Sequence, residues 1–419
     1  MFGETPLVRI DTQQQLQWMV DTIGKAPVLG IDTEADSMHH YQEKVCLIQI
    51  SDLTTDYIVD PLLVTDLSAL APIFADPNIV KIFHDCYFDV VSLRRDHGFT
   101  FQNLFDSMLG AQFAGMEAFG LASVIRTLFG HEIDKQYQRH DWAERPLLPQ
   151  HLDYARGDTH FLAAIREYLI DKLTGLGRLH MLEEECTYLC SKTWSGRAKD
   201  PAAFMGIKGA KQLDEDGRRV LRALAEWREE EARRLDRPVF KTVPDDVLMQ
   251  LAERRPESAA AVAGLLRPGS SLVRRWSVDF VKAITAGLAD ERDLPDEAAP
   301  RRPRAERSPD DIRVRDQEKL MVALKEWRSR VTRAQRLPPI CVVSNGQFQE
   351  IARRAPTDLA ALAGLGEMRK WQIEAWGAQI LEVVASVDVK RGGGEPEGET
   401  AEGEGAGRRR RRGPRGAGV

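Results

Sequence analysis

The run Val28-Leu29-Gly30-Ile31-Asp32-Thr33-Glu34 ends in two carboxylates separated by a single residue. Read as a buried strand, it sends successive side chains to opposite faces, so Asp32 and Glu34 project from the same face at its end. Two acids that close repel each other unless a cation lies between them, and a divalent metal is the simplest remedy. Other acids are candidates to converge on the same point. Asp89 follows an apolar residue and opens an amphipathic stretch, where a carboxylate is favoured by the positive end of a helix. Taken alone, it also reads as a cap or a solvated residue. In Tyr154-Ala155-Arg156-Gly157-Asp158 the tyrosine and the second acid are four apart and share one helix face, a pair that is unremarkable by itself.

Strands and helices must bring these groups together. Residues 7–23 read as a short strand and a helix, with Asp11 and Thr12 as cap residues. Residues 45–50 and 56–60 are strand-like, and with the opening run they form three strands joined by short connections, the pattern of an antiparallel meander. Residues 67–74 look helical, and the strand at 79–84 runs directly into a helix over 88–97. Short helices and loops alternate from there to residue 169, which makes an α/β layout with a mixed sheet over residues 1–170. A helical connector follows over 171–212. Beyond it Ala223-Leu224-Ala225-Glu226-Trp227-Arg228 recurs one hundred residues later as Ala323-Leu324-Lys325-Glu326-Trp327-Arg328, and Pro238, Leu251 and Pro256 recur as Pro338, Ile351 and Pro356. These are two copies of one all-helical module, expected over 213–289 and 313–388. The Pro- and charge-rich residues 290–312 between them read as a flexible linker, and 389–419 as a disordered Gly/Glu/Arg tail.

At 419 residues, 43% hydrophobic and 29% charged, the chain has the composition of a multidomain globular protein. It shows neither a membrane-spanning run nor a signal pattern, and its five scattered cysteines suit neither a disulfide framework nor a structural zinc site, so the cytoplasm is the expected compartment. A net charge of −6 argues against indiscriminate coating of nucleic acid but leaves room for local binding.

In order, context and spacing, Asp32-Thr33-Glu34, then Asp89 after a strand-His-helix passage, then Tyr154 with Asp158 resemble the three motifs of the DEDDy family of 3′-to-5′ exonucleases. Phe105-Asp106-Ser107, Lys135 and Asp141-Trp142-Ala143-Glu144-Arg145-Pro146-Leu147 look like the ribonuclease D family in particular, and the duplicated module resembles the HRDC domain. The resemblance spans residues 7–388. It implies a ribonuclease H-like mixed-sheet exonuclease domain followed by two small all-α domains. It also implies a catalytic set of Asp32, Glu34, Asp89, Tyr154 and Asp158. In that family pattern Asp32 bridges two cations, Glu34 and Asp158 complete the site that holds the attacking water, and Asp89 helps to hold the second cation, partly through water.

The residue types agree with that chemistry. Phosphodiester hydrolysis needs an activated water, a stabilised pentacovalent transition state and a stabilised leaving oxygen, and two divalent ions about 3.5 to 4 Å apart meet all three needs. Oxygen ligands without His or Cys suit two Mg²⁺ or Mn²⁺ rather than zinc. A tyrosine with an ordinary pKa of about 10 is a poor base, so Tyr154 is expected to orient the water; a tyrosine packed on the sheet is the alternative. His84, Phe88 and Trp142 are candidate substrate contacts, the last two by stacking on terminal bases, with a core histidine and a core tryptophan as the competing readings of His84 and Trp142. Asp106 reads first as a structural acid holding a loop, and Asp85 stands where the family usually has a small residue. Exposed basic residues of the helical modules, among them Arg228, Arg233, Arg234 and Lys241 and Arg328, Arg330, Arg333 and Arg336, either grip structured RNA or simply form a solvated charged face.

The expectation is therefore a monomeric 3′-5′ exoribonuclease that releases nucleoside 5′-monophosphates and matures the 3′ ends of tRNA precursors. A DNA exonuclease of the same chemistry is the alternative, because nothing in the motifs visibly reads a 2′-hydroxyl. So, from a different class, is a noncatalytic RNA-binding scaffold.

Overall fold

In a computed structural model, which describes residues 5–194, 202–267, 269–295, 311–366 and 368–391, the apolar runs of the N-terminal half assemble into one six-stranded sheet. Its strands are β1 (Leu7–Ile10), β2 (Val28–Ala35), β3 (Val45–Ser51), β4 (Asp56–Val59), β5 (Val80–Phe83) and β6 (Leu104–Asp106), in the spatial order β1-β4-β3-β2-β5-β6. β2, β3 and β4 form the expected antiparallel meander, while β1–β4, β2–β5 and β5–β6 are parallel, so the sheet is mixed. β6 has only three residues, too few for a periodicity to announce it.

Eight helices pack on this sheet: α1 (Gln13–Ile23), α2 (Ala71–Ala75), α3 (Tyr87–His97), α4 (Ser107–Phe113), α5 (Leu121–Phe129), α6 (Pro149–His160), α7 (Leu162–Gly175) and α8 (Leu179–Cys190). Thr12 caps α1 in a reciprocal capping box with Gln15, as its position suggested. α6 crosses the face of β2, β3 and β4. The expected boundary at residue 170 falls inside α7, and α8 packs against β6 and α4, so the first domain runs on through what reads as a connector.

The first helical module comprises α9 (Glu215–Arg234), α10 (Val239–Thr242), α11 (Asp245–Arg254), α12 (Ala259–Leu265) and α13 (Ser271–Leu288), around its own core of Val220, Leu224, Leu251 and Phe280. The second comprises α14 (Val314–Gln335), α15 (Asn345–Arg354), α16 (Leu359–Ala363) and α17 (Lys370–Ala385). The repeated tryptophans pack as core residues, Trp227 against Trp276 and Phe280, and Trp327 against Phe348 and Trp376. The repeated arginines are not RNA-facing. Arg228 is buried and donates to the Val243 carbonyl and the Asp245 carboxylate, and Arg328 donates to the Val343 carbonyl and Asn345, each tying the long helix to the start of the helix after the turn. The 290–312 linker is ordered at both edges: the buried Arg222 pairs with Asp290, and Ile312 is buried in the second module. Its centre, 296–310, and the tail from 392 lie outside the described residues.

The two modules attach to the first domain differently. The second shares one continuous apolar cluster with it. Glu184 of α8 accepts from the Lys370 and Trp371 backbone N–H groups at 2.6 and 3.0 Å, satisfying donors that the first turn of α17 leaves free, and Trp371 packs edge-on against Phe113. The first module meets the loop after β2 through polar groups: Asp236 lies 2.7 Å from His40 Nδ1 and accepts from the Tyr41 N–H, and Glu229 accepts from the Tyr41 hydroxyl.

Candidate active site

Asp32 and Glu34 leave β2 on the face that α6 covers, and α6 sets Tyr154 and Asp158, one turn apart, against them. The approach is close. A Cβ on Gly30 would lie 2.7 Å from the Thr159 carbonyl oxygen and 3.2 Å from the Leu162 Cβ, so this strand position has room only for glycine. The rotation of α6 is fixed on its other side. Arg156 donates through Nε and Nη2 to Asp56, His160 Nδ1 lies 3.0 Å from the same carboxylate, and Ser51 donates to it at 2.6 Å. Burial works against ionising Asp56, but the hydrogen bonds from His160, Ser51 and Arg156 prevail and hold its carboxyl below the ordinary value. With Arg156 and His160 locked to β4, the alternate positions 154 and 158 turn toward β2.

Asp32, Glu34 and Asp158 each bring a carboxylate oxygen within 4.8 Å of the other two. Asp89 arrives from the first turn of α3, beyond the end of β5, where it is 8% exposed and accepts from the Thr33 hydroxyl at 2.5 Å. Burial, then repulsion from Asp89, Asp158 and Glu34, holds the Asp32 carboxyl well above its ordinary value, and Glu34 is raised by burial and by Asp158 and Asp89. Asp158 is pushed up to about 7 by burial and Asp89, and Asp89 to about 6 by burial against the opposing hydrogen bond from Thr33. Asp32, Glu34 and Asp158, with Asp89 raising all three from beside them, form an oxygen-donor set that fits a divalent cation.

This geometry coincides with what the chain resembles. The 3′-5′ exonuclease family matches residues 7–174, and the HRDC domain matches 217–284 and again 317–384. Ribonuclease D of Desulfotalea psychrophila is 32% identical over 289 residues, 68% of this chain and 77% of that protein. The chain belongs to the ribonuclease D family. The crystal structure of the catalytic core of RRP6 from Trypanosoma brucei is 28% identical, with a TM-score of 0.63 over 68% of this chain and 80% of that one. Escherichia coli RNase D, at 23% identity, shares the fold over 90% of this chain and 98% of its own, with a TM-score of 0.64. As a ribonuclease D family member the protein is a 3′-5′ exoribonuclease that uses divalent metal.

The other residues singled out from the sequence occupy varied places around this ribonuclease D site. Phe88 is 73% exposed beside Asp89, its ring meeting that of Tyr87 edge-on. Trp142 is 1% exposed and lies with its ring 5.8 Å from that of Tyr154, so it braces the tyrosine from below instead of offering a face to a base. Tyr137 closes on Tyr154 edge-on from another side. His84 is likewise turned inward: its Nδ1 is 2.9 Å from the Ser107 hydroxyl, and burial pushes its pKa down to about 4 despite nearby Asp106, which keeps the ring neutral. Asp106 accepts from the N–H groups of Asp85, Cys86, Met108 and Leu109, joining the turn before α3 to the start of α4. Asp85 has φ +71°, the left-handed region, which accounts for a preference there for small residues and for aspartate's tolerance of it. The sequence offered no sign of the Asp56-Arg156-His160 lock, since its partners lie about one hundred residues apart.

The raised carboxyls have a measurable consequence. In the unfolded chain an aspartate titrates near 3.8, while Asp89 and Asp158 in the fold hold their protons to about 6 and about 7. Between those values the unfolded chain binds fewer protons than the native one, so stability falls as pH rises. In EDTA, this cluster's contribution is therefore present near pH 4 and lost by about pH 7 to 8. Magnesium replaces the missing positive charge, so its addition should raise the melting temperature by several degrees at about pH 7.5 and by much less at about pH 5. Equal shifts at both pH values in a melting experiment would count against a cation held by these acids.

Proposed function

We propose that the protein trims single nucleotides from the 3′ end of RNA by two-metal hydrolysis, releasing nucleoside 5′-monophosphates, with precursors of stable RNA such as tRNA as its substrates. The convergence of Asp32, Glu34, Asp89, Asp158 and Tyr154 at one end of β2 supports this reading. When bound, two divalent cations, Mg²⁺ or Mn²⁺, would polarise the scissile phosphate and acidify the attacking water.

The chain's own groups divide the remaining work. Asp32, which feels the charge of all three other acids, would contribute to holding both cations, Glu34 and Asp158 would help to hold one, and Asp89 would help to hold the second. Burial and the charges of Asp158, Glu34 and Asp32 push the Tyr154 hydroxyl above its ordinary value, so it keeps its proton and serves as a hydrogen-bonding partner that orients the attacking water, not as the base. Trp142 and Tyr137 restrict the ring that carries it. The exposed face of Phe88 suits stacking on the last base, which holds the strand without reading its sequence. All five central residues come from one chain, so a monomer carries a complete site, and five free cysteines suit the reducing cytoplasm.

A 5′-labelled RNA and its matched DNA, incubated with Mg²⁺, separate the readings. The RNA should shorten from its 3′ end one nucleotide at a time while the DNA persists. Degradation of both at one rate would favour a DNA-tolerant exonuclease, and RNA that is bound but never shortened would indicate a scaffold.

A further inference from the structure

We propose that Thr33, the residue between the two acids of Asp32-Thr33-Glu34, is a positioning residue that sets the Asp89 carboxylate for the second divalent cation. The inference rests on the two-cation reading above.

Strand alternation sends the Thr33 side chain to the face opposite Asp32 and Glu34, away from the cluster that α6 covers. That face is not empty of site residues. β5 pairs with β2 only along Val28, Leu29 and Gly30 and ends at Phe83, so beyond Gly30 this ladder no longer flanks β2. The chain turns there and enters α3, whose first turn carries Asp89 alongside Thr33, and the threonine Oγ1 donates to Asp89 Oδ1 at 2.5 Å. A short bond from a hydroxyl to a buried carboxylate fixes which carboxylate oxygen is engaged and which remains for the cation. Asp89 is the acid that most needs such help. It stands outside the group of three oxygens that lie within 4.8 Å of one another, and it reaches the site from α3 instead of from β2 or α6.

Strand formation does not explain the hydroxyl. Thr33 is registered opposite Ile48 of β3, and at such a position valine has the same shape and at least equal strand preference. What threonine adds is the donor. Partners that orient a ligating group typically contribute about 10- to 100-fold to metal affinity, without touching the metal.

The test uses the full-length protein without RNA, titrated with Mn²⁺ by calorimetry and by the electron paramagnetic resonance of free Mn²⁺. Thr33→Val should weaken the second Mn²⁺ by about tenfold or more while leaving the first close to wild type. It should still melt cooperatively in EDTA, with only a modest loss of stability at neutral pH because the buried Asp89 carboxylate loses its donor, and Thr33→Ser, which keeps the donor, should restore the second site. Valine and wild-type proteins with the same two affinities would overturn the proposal, as would a serine variant as weak as the valine one. A wild-type protein that takes up one Mn²⁺ only would instead remove the two-cation reading, and this inference with it.

Discussion

Asp32→Ala should bind RNA as wild type does and degrade it more slowly by on the order of 10³-fold or more. Asp32 is the acid on which each of the other three acts, so on the proposed two-cation reading its loss would remove a ligand shared by both cations, whereas loss of any other acid would affect chiefly one. A melting curve separates the effect from misfolding. The substitution removes one charge from a repelling group, so in EDTA at neutral pH the variant should melt no lower than wild type, and higher if repulsion outweighs the lost packing. Filter binding and gel degradation of the same RNA, measured side by side, check both halves. A residual rate within tenfold of wild type would remove Asp32 from the centre of the chemistry, and parallel loss of binding would make its role substrate attachment.

Gly30→Ala is expected to be nearly as damaging, although glycine does no chemistry. The added methyl would lie 2.7 Å from the Thr159 carbonyl oxygen, a backbone atom with no rotamer to escape into, so the α6–α7 junction must move away from β2. Asp158 is the residue before Thr159, while Arg156 and His160 remain bound to Asp56, so the helix cannot slide as a unit. Displacement of one ligand by a fraction of an ångström to about 1 Å is worth on the order of 100-fold in turnover. Overpacking of this kind costs about 1–3 kcal/mol of stability. Turnover under saturating Mg²⁺, together with a melting curve, tests the account. A variant with full rate and unchanged melting would mean that α6 yields freely and does not set the geometry.

Much of this was legible in the chain because it depends on local periodicity. Alternation over 28–34 sufficed to place Asp32 and Glu34 on one face, and a spacing of four sufficed for Tyr154 and Asp158. The meander followed from short connections between apolar runs. What escaped depends on partners far apart in sequence. Arg228 reads as one more charge on a polar helix, because its acceptors in the next turn of chain are backbone and a single aspartate. Trp142 reads as either a stacking surface or a core ring, and its burial beside Tyr154 decides for the core. Gly30 is simply a glycine in a strand until α6 is laid across it.

The uneven docking of the two repeats bears on how a duplicated module can be lost. Shedding the second copy would strip Phe113 and the flank of α8 of apolar cover and leave Glu184 without the amide donors it now receives, a change the catalytic domain would have to repair with new side chains. Shedding the first would break polar contacts to His40 and Tyr41 whose groups can turn to water. Removal of the second repeat should therefore cost the catalytic domain more of its own packing than removal of the first.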